Sequence, residues 1–387
     1  MVKFMKSYDY IVVGMGTAGA STCMALAQRG ALVLGLDARH PPHQSGSHHG
    51  QSRSIRRAYL EGSAYAPMAM RSWELWRKLE HDSATELLIK TPNLTIGPDD
   101  CPALTGFLAS ARRYEIPYQE LTAAELRRRW PVFNVPKTYA AGLEIEAGIL
   151  FAERAIACML SEAQKLGTNL LFNHPVREWK QDGDKVTVIT TTDTYRCRRL
   201  LLAGGARNHA LCKGEISLSP KGIPVHWIPA PEPELFKLGE YPVNFWQVPP
   251  SGQSDDLAYE EFYSLPTMAF GGPIKTAPHN NLADCDPDDH LKTVSQMESK
   301  RVKHFLTAHI PTLASAKARV DRCFYSMTAD GDFIIDWLPR HDRVAIVALA
   351  GHGFKFAPVL GLMLADLLQD RRSEFDLGMF SLSRFSE

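Results

Sequence analysis

The N-terminal segment carries the hydrophobic pattern of a strand, a helix and a second strand. Residues 10–13 form a short apolar run of the kind found in buried strands, and the small residues of 17–29 predict a helix. Gly30 predicts the end of that helix, because glycine is favoured just beyond a helix C-terminus. The apolar run 31–36 predicts a second strand, which ends at Asp37. This order is typical of the start of a nucleotide-binding α/β unit.

The rest of the chain alternates between helical and strand-like patterns. Helical spacing of apolar residues predicts helices at 66–79, 104–110, 123–129, 150–166, 290–309 and 358–368. Apolar or alternating runs predict strands at 186–190, 199–203 and 344–349, and the stretch 220–270, rich in aromatic residues and proline, predicts a sheet with irregular loops. Elements of the nucleotide-binding type therefore occur near both ends and near residue 200, which predicts a discontinuous domain with a second domain inserted into it.

The amino-acid composition argues against several classes of protein. The chain has 387 residues with 43 Lys plus Arg and 43 Asp plus Glu, so it lacks the net positive charge typical of nucleic-acid-binding proteins. The seven cysteines are scattered and form no CxxC pair, which disfavours a disulfide framework or a zinc site and indicates a reducing, cytoplasmic location. No apolar stretch reaches the roughly 18 residues of a membrane span. A signal peptide is disfavoured because the first apolar run carries the glycine pattern of a folded turn.

The pattern Gly14-x-Gly16-x-x-Gly19 follows the first predicted strand. In a dinucleotide-binding turn the first glycine lets the chain leave the strand, the second lets the backbone approach a pyrophosphate, and the third lets the helix pack against the sheet. Asp37 has the position of a carboxylate that accepts hydrogen bonds from ribose hydroxyls. The motif predicts a bound dinucleotide and leaves FAD and NAD as alternatives.

Three further segments carry candidate chemistry. Residues 47–59 contain two adjacent histidines and three arginines, which suit a substrate carboxylate, although a solvated basic loop has the same composition. Adjacent histidines without a cysteine or carboxylate cluster disfavour a metal site. Residues 349–356 form a glycine-rich turn, which is either a site where the backbone approaches a flavin ring or an ordinary turn. Cys323, taken alone, belongs to a residue type that is more often buried and inert than reactive.

Five separated segments, in the same order as in a known family, carry a resemblance. They are residues 8–20, 41–62, 322–339, 351–361 and 374–385. On these segments the chain resembles the monomeric sarcosine oxidase family, which includes N-methyltryptophan oxidase and the pipecolate oxidases. The resemblance runs nearly from end to end and implies a flavoprotein that binds FAD.

The resemblance implies roles for residues around the flavin. Cys323 matches the family cysteine that is joined by a thioether to the 8α-methyl group of FAD. Lys275 and His279 match the family pattern Lys-x-x-x-His, in which the lysine promotes the reaction with dioxygen. His49 and Arg53 match a pair on the other face of the flavin. The glycines of the two turns, Gly14, Gly16, Gly19, Gly351 and Gly353, with Asp37 and Lys355, complete the implied cofactor-binding set.

The resemblance also implies a substrate site. Arg56 and Lys355 match the residues that bind the substrate carboxylate, and Tyr263 and Tyr325 match two tyrosines of the substrate cavity. The Tyr263 match requires a one-residue insertion before the family lysine. The sequence departs from the family at Arg207, at Arg57 and over 264–270, which puts the size of the substrate in doubt more than the type of reaction.

The expected fold is α/β, with an α+β second domain. A discontinuous Rossmann-like FAD-binding domain would comprise 1–80, 150–215 and 320–387, and an antiparallel-sheet substrate domain would comprise 81–149 and 216–319. The expected activity is oxidation of a secondary (N-methyl) amino acid such as sarcosine or N-methyltryptophan, with dioxygen reduced to hydrogen peroxide and no metal required. Pipecolate or another cyclic or secondary amine is an alternative substrate, and a non-catalytic dinucleotide-binding sensor is an alternative function. The expected protein is a monomer without a nucleic-acid or membrane partner.

Overall fold

A computed structural model describes residues 6–60, 62–250, 258–289 and 294–385. The strands, numbered in chain order, are β1 (Ser7–Val13), β2 (Val33–Leu36), β3 (Ser52–Ile55), β4 (Leu88–Lys90), β5 (Asn93–Pro98), β6 (Tyr118–Thr122), β7 (Tyr139–Glu144), β8 (Gly148–Phe151), β9 (Asn169–Leu171), β10 (Val176–Asp182), β11 (Lys185–Thr190), β12 (Thr194–Leu202), β13 (Ser219–Pro229), β14 (Val243–Val248), β15 (Glu260–Leu265), β16 (Pro273–Pro278), β17 (Ala283–Asp284), β18 (Arg319–Met327), β19 (Ile334–Trp337) and β20 (Val344–Ala348). The α-helices are α1 (Thr17–Gln28), α2 (Ala66–Ser83), α3 (Pro102–Arg113), α4 (Ala123–Arg129), α5 (Ala152–Lys165), α6 (Asn208–Leu211), α7 (Pro233–Phe236), α8 (Gln296–His309), α9 (Pro311–Ala314) and α10 (Ala357–Leu368).

The first sheet contains the predicted nucleotide-binding unit. Strand β1 pairs in parallel with β2 on one side and with β12 on the other, and β12 pairs in parallel with β20. Helix α1 ends where predicted, since Gly30 has a φ of +75° and its amide donates to Ala27. The parallel strands direct their carboxyl ends to one edge of the sheet, which is where ligands bind in open α/β sheets.

Helices α1, α5 and α10 pack together through one apolar cluster beside this sheet. The closest approach is at Gly361 of α10, where an added Cβ would lie 2.5 Å from the Ser21 carbonyl oxygen of α1. A side chain at position 361 would therefore separate the two helices. This packing fixes the positions of α1 and α10, whose N-terminal ends face the carboxyl edge of the sheet.

The second sheet is predominantly antiparallel. Its order is β17-β13-β16-β15-β14-β5-β7-β6, with β18 also paired to β13. Among its described strand pairs, only β14 and β5 run in parallel. Helix α8 covers one face, where Phe305 stacks on Phe262 at 4.3 Å between ring centroids. A smaller antiparallel sheet, β3-β8-β4, also contributes to the molecule. The predicted α/β class with an antiparallel second sheet is confirmed.

Some predicted boundaries are wrong. The helix predicted at 150–166 begins only at Ala152, because residues up to Phe151 form β8, in which Phe151 pairs with Ser52 of β3. The helix predicted at 290–309 begins at Gln296 and is capped by Ser295, and residues 290–293 of that prediction lie outside the described residues. Strand β18 belongs to the second sheet, although the predicted cofactor domain resumes at residue 320. The division into two domains stays a prediction.

Candidate active site

One cavity of about 910 Å³ lies between the two large sheets. Its walls are the carboxyl ends of β1, β2, β12 and β20 and the facing side chains of β13–β16 and β18. Of the predicted site residues, those that line it are Gly14, Gly16, Asp37, His49, Arg53, Arg56, Tyr263, Lys275, His279, Cys323, Tyr325, Gly351, Gly353 and Lys355. Residues from distant parts of the sequence thus meet around one space, while Gly19 packs at the base of the first turn.

The first glycine turn is closely packed and leaves no room for side chains. Gly14 has a φ of +94°, and an added Cβ would lie 2.5 Å from the Ala203 carbonyl oxygen. A Cβ on Gly19 would lie 1.8 Å from the Gly14 carbonyl oxygen, so only glycine permits this contact between helix and strand. Gly16 precedes α1 at the cavity wall, where the free amides of a helix N-terminus attract a phosphate.

Asp37 directly follows β2 and contacts this turn. One carboxylate oxygen accepts a hydrogen bond from the amide of Met15 at 2.7 Å, and the other accepts one from the amide of Arg39 at 2.8 Å. Burial alone would raise the pKa of Asp37, but a hydrogen bond from His43 and those from the two amides lower it overall. An ionised carboxylate beside the turn is the group that a ribose requires.

The second glycine turn joins β20 to α10. Gly351 has a φ of +80°, and a Cβ there would lie 2.6 Å from the ring of Tyr325. A Cβ on Gly353 would lie 2.5 Å from the side chain of Leu349. Both turns therefore present bare backbone to the cavity. The two glycine turns, the size of the cavity and the position of Asp37 together make the cavity suitable for a dinucleotide.

Cys323 and His49 form a buried polar pair in the cavity wall. The ring nitrogen Nε2 of His49 donates to the carbonyl oxygen of Arg322, the residue before Cys323, at 3.2 Å. Burial alone would raise the pKa of the Cys323 thiol, but the hydrogen bond and charge of His49, with further cations nearby, lower it to about 7. The hydrogen bond to Cys323 raises the pKa of His49 against the effect of burial. Cys323 therefore has the thiolate character that a nucleophile requires.

Lys275 lies on β16 and is bound by the loop that precedes β3. Its ammonium nitrogen donates to the carbonyl oxygens of Gly50 at 3.0 Å and Ser52 at 2.8 Å. Arg53 binds the same loop through the carbonyl oxygens of Ser47 and His49, both at 2.7 Å. Burial, and then the charge of Arg53, lower the pKa of Lys275 well below its usual value. Negative charge that develops beside Lys275 would favour its protonated form.

Arg56 and Lys355 are the two buried cations of the remaining wall, with 6% and 7% of their surfaces exposed. The Lys355 ammonium donates to the His352 carbonyl oxygen at 2.9 Å. The Arg56 guanidinium lies over the ring of Phe245, 5.5 Å from its centroid. Two buried positive groups in one cavity suit a carboxylate ligand.

An aromatic cluster lies beside these cations. His279 Nδ1 is hydrogen-bonded to the Tyr325 hydroxyl at 3.1 Å, and its ring meets that of Phe245 edge to face at 5.6 Å. Tyr263 is 6.4 Å from the His279 ring, and burial raises the pKa of its hydroxyl. Tyr263 thus remains neutral, and both tyrosines contribute apolar surface and hydroxyl groups to the cavity.

The sequence pattern of the DAO family, described as FAD dependent oxidoreductase, matches residues 9–367. The chain belongs to this family of FAD dependent oxidoreductases. The match covers both glycine turns and every predicted site residue, and it agrees with the fit of the cavity to a dinucleotide. It selects FAD between the two cofactors that the glycine motif alone leaves open.

Relatives of this oxidoreductase carry more specific names. It is 34% identical to the N-methyl-L-tryptophan oxidase of Citrobacter koseri over 98% of this chain and 100% of that protein. It is 32% identical to the N-methyl-L-tryptophan oxidase of Yersinia pestis over 98% of this chain and 99% of that protein. These similarities confirm the resemblance to the monomeric sarcosine oxidase and N-methyltryptophan oxidase family.

Solved structures share the fold at lower identity. NikD, an amino acid oxidase essential for nikkomycin biosynthesis, has a TM-score of 0.82 and 23% identity, with 97% of each chain covered. Glycine oxidase from Geobacillus kaustophilus has a TM-score of 0.79 and 20% identity, covering 98% of this chain and 99% of that one. The two-sheet architecture is therefore that of amino acid oxidases.

Sequence reasoning missed several residues of this oxidoreductase site. Phe245 of β14 contacts both Arg56 and His279. Glu153, in the first turn of α5, accepts a hydrogen bond from the Gly50 amide at 2.9 Å and so fixes the loop that binds Lys275. Neither residue belongs to a recognised motif. Each is brought to the site by the packing of its strand or helix, which the sequence pattern does not show.

Arg207, the departure from the family at the end of β12, joins two loops at the rim of the cavity. Its guanidinium binds the carboxylate of Asp288 at 2.8 Å, the Pro287 carbonyl oxygen at 2.6 Å and the Ser45 carbonyl oxygen at 3.0 Å. The expected influence of Arg207 on substrate size stays a prediction.

The described residues contain no group of three or more His, Cys, Asp or Glu side chains arranged to bind a metal ion. Within the same residues no helix has both the length and the apolar character needed to cross a bilayer.

Proposed function

We propose that this FAD dependent oxidoreductase oxidises a secondary, N-methyl amino acid to an imine and reduces dioxygen to hydrogen peroxide. The observation that carries the proposal is the pair of buried cations, Arg56 and Lys355, beside the aromatic cluster of Phe245, Tyr263 and Tyr325. The carboxylate of an amino acid substrate would match the two cations, and its uncharged side chain would match the aromatic cluster. The relatives named N-methyl-L-tryptophan oxidase support an aromatic substrate of this class.

The cavity residues divide into those that would bind FAD and those that would bind substrate. The two glycine turns and the N-terminus of α1 would bind the pyrophosphate, and Asp37 would bind ribose. When bound, FAD supplies a two-electron oxidation, with a hydride equivalent taken from the carbon beside the substrate nitrogen and both electrons passed on to dioxygen. The protein would position the substrate against the cofactor and supply the charges that stabilise the reaction.

Cys323 would form the thioether with the 8α-methyl group of FAD, a step in which the thiol and the methyl group each lose a proton and the two electrons released are taken up by the flavin and passed to dioxygen. Its support is the lowered pKa of the thiol, because the thiolate is the nucleophilic form. His49 lies against the sulfur and would assist by accepting the thiol proton. A covalent bond would prevent loss of the cofactor during turnover.

Lys275 would promote the reaction with dioxygen. Its amine is buried and bound by the carbonyl oxygens of Gly50 and Ser52, so it would hold a proton at a fixed position as negative charge develops beside it. A positive charge in a water-poor cavity stabilises developing superoxide far more than it would in water. His279 and Arg53 would line the neighbouring walls.

Arg56 and Lys355 would bind the substrate carboxylate and orient the amine. The carboxylates that line the cavity in the described residues are Asp37, Asp286, Asp288 and Asp321. Asp37 lies at the glycine turn, Asp288 binds Arg207, and Asp321 accepts from the Trp227 indole at 2.8 Å. An anionic head with a neutral side chain is therefore the favoured substrate, and water would hydrolyse the released imine.

A panel of amines tests the proposal. We expect hydrogen peroxide from N-methyltryptophan and less from tryptophan, its primary amine, and from N-methyltryptophanamide, which lacks the carboxylate. Sarcosine and pipecolate test a small and a cyclic secondary amine. Release from tryptophan equal to that from N-methyltryptophan would contradict the substrate class. A yellow protein that releases no peroxide with any member of the panel would favour a dinucleotide-binding sensor.

We also propose a monomer in a reducing, cytoplasmic compartment. All seven cysteines are free, which is the usual state of cysteines in such compartments. Light scattering of the purified protein would give the mass of one chain, and a mass of two chains would contradict the monomer.

A further inference from the structure

Tyr59 is a fully buried tyrosine that follows β3 and lies among the cations of the proposed substrate site. Its ring packs against Tyr65 at 5.1 Å and Phe356 at 5.3 Å between ring centroids. Its hydroxyl is hydrogen-bonded to Nδ1 of His352 and accepts from the Lys355 ammonium at 3.3 Å. A tyrosine hydroxyl in such a position is constrained to one orientation.

The direction of these hydrogen bonds follows from the groups at each end. Nε2 of His352 lies 3.0 Å from the Gly331 carbonyl oxygen, which can only accept, so Nε2 carries the hydrogen. A neutral His352 then accepts at Nδ1, and the Tyr59 hydroxyl donates to it. The lone pairs of the Tyr59 oxygen consequently face Lys355, whose ammonium can only donate.

Tyr59 contacts both cations of the proposed carboxylate site. The Arg56 guanidinium lies 5.7 Å from the centroid of its ring, and the Lys355 ammonium lies 5.0 Å from the same centroid. A ring face attracts cations, and the hydroxyl oxygen adds a second contact to Lys355. One side chain therefore offsets part of the repulsion between two buried positive charges.

We propose that Tyr59, oriented by His352, is a positioning residue that places Arg56 and Lys355 for the carboxylate of the substrate. The inference rests on the proposed function, in which these two cations bind that carboxylate. Without the hydroxyl, Lys355 would lose an acceptor and sample other positions. Carboxylate affinity would fall, while the affinity for an uncharged ligand would not.

The test measures carboxylate preference in the flavin-containing protein. Calorimetric titration with benzoate and with benzamide, its uncharged analogue, gives the ratio of the two affinities for each variant. We expect Tyr59→Phe to lower this ratio by about 2- to 10-fold, the range that corresponds to one lost hydrogen bond. The affinity for benzamide should stay unchanged, since phenylalanine keeps the ring. With the amino acid substrate, KM should rise with little change in kcat.

His352→Gln tests the inference from the other end of the hydrogen-bond chain. Loss of the imidazole frees the Tyr59 hydroxyl to rotate, so the ratio should fall in the same direction even if Tyr59→Phe were to fold poorly. Tyr241→Phe is the matched control. It removes a buried hydroxyl that donates to Ser264 at 3.1 Å in the second sheet, and the ratio should not change.

Each outcome has a distinct meaning. An unchanged ratio in Tyr59→Phe and His352→Gln would overturn the inference, and so would an equal loss of benzoate and benzamide affinity. Arg56→Gln and Lys355→Met separate this failure from that of the proposed function. If these two variants lose carboxylate preference and Tyr59→Phe does not, the carboxylate site stands and the role of Tyr59 is wrong. If none of the variants changes the preference, the carboxylate site itself is wrong.

Discussion

Cys323 shows how neighbours decide the chemistry of a residue. In sequence it is one of seven scattered cysteines, and its type alone predicts an inert side chain. In the structure the His49 imidazole and two further cations lower the pKa of its thiol to about 7, whereas burial raises the pKa of Cys197 to about 12. Only the resemblance to a family distinguished the two cysteines before the structure did.

The Cys323 pKa leads to a pH-dependent prediction. If the thiolate attacks FAD, covalent attachment to the apoprotein should be slow below pH 7, accelerate as the pH passes about 7 and then level off. His49→Asn should move the midpoint to higher pH, because it removes the group that lowers the thiol pKa. The measurement is flavin retained by acid-precipitated protein over time.

Cys323→Ser should retain no flavin after precipitation, and Cys197→Ser should behave as the unmodified protein does. A rate of attachment that does not vary on either side of pH 7 would contradict the thiolate mechanism.

Lys275 provides the second prediction at the level of single residues. Lys275→Met removes the buried charge and keeps the apolar stem, so anaerobic flavin reduction by substrate should persist while reoxidation by dioxygen slows by about 100-fold or more. Stopped-flow absorbance of the flavin measures the two half-reactions separately. The control is Lys221→Met, a partly exposed lysine of the same sheet that binds Asp284. Equal slowing of both half-reactions would rule out a specific oxygen role.

Among the elements, long periodic patterns were predicted well and short strands were not. The predictions at 17–29, 66–79 and 358–368 correspond to α1, α2 and α10, because each contains several apolar turns, although α2 continues to Ser83. The prediction at 150–166 merged β8 with α5, since Leu150 and Phe151 extend the apolar pattern of the helix. Pairing with β3 decides that they form a strand, and pairing is a non-local property.

The turn between β20 and α10 gives a prediction for an element. Gly351→Ala would require an alanine at φ +80° and would place its Cβ 2.6 Å from Tyr325, so the turn or the tyrosine must move. We expect a lower ratio of flavin to protein absorbance and a lower melting temperature.

Gly183→Ala is the matched control for this prediction. It has a φ of +56° with no atom within 4 Å of its added Cβ, so it carries the backbone strain without the collision. Its cost should be about 1 kcal/mol, with normal flavin content. Equal effects of the two substitutions would show that the contact with Tyr325 does not matter.

For the whole molecule, the position of the cavity between the two large sheets predicts that the cofactor stabilises the fold. In Cys323→Ser, where FAD would bind reversibly, removal of the flavin should lower the melting temperature by several degrees, and added FAD should restore it in a concentration-dependent way. Differential scanning calorimetry measures both effects. Identical melting with and without FAD would show that the cofactor contributes little to the contact between the sheets.

The local features of this protein follow from its amino-acid sequence alone. These are the glycine turn at Gly14–Gly19, the helix that follows it and the carboxylate at Asp37, because each depends on backbone space or on apolar period within a few residues. The order of five motifs along the chain also predicted the family and, through it, FAD as the cofactor. Both were predicted before any contact was known, and the match over residues 9–367 confirms them.

Which side chains act on one another depends instead on how the sheets and helices pack. Phe245 and His352 line the cavity, while Tyr59 and Glu153 contact residues that line it. Sequence patterns marked the segments that hold Tyr59 and His352 but assigned no role to any of the four residues. Their roles depend on hydrogen-bond direction, ring contact and burial, which exist only after the sheets have packed. The lowered pKa of Cys323 and of Lys275 has the same origin, because desolvation and neighbouring charge are properties of the assembled cavity.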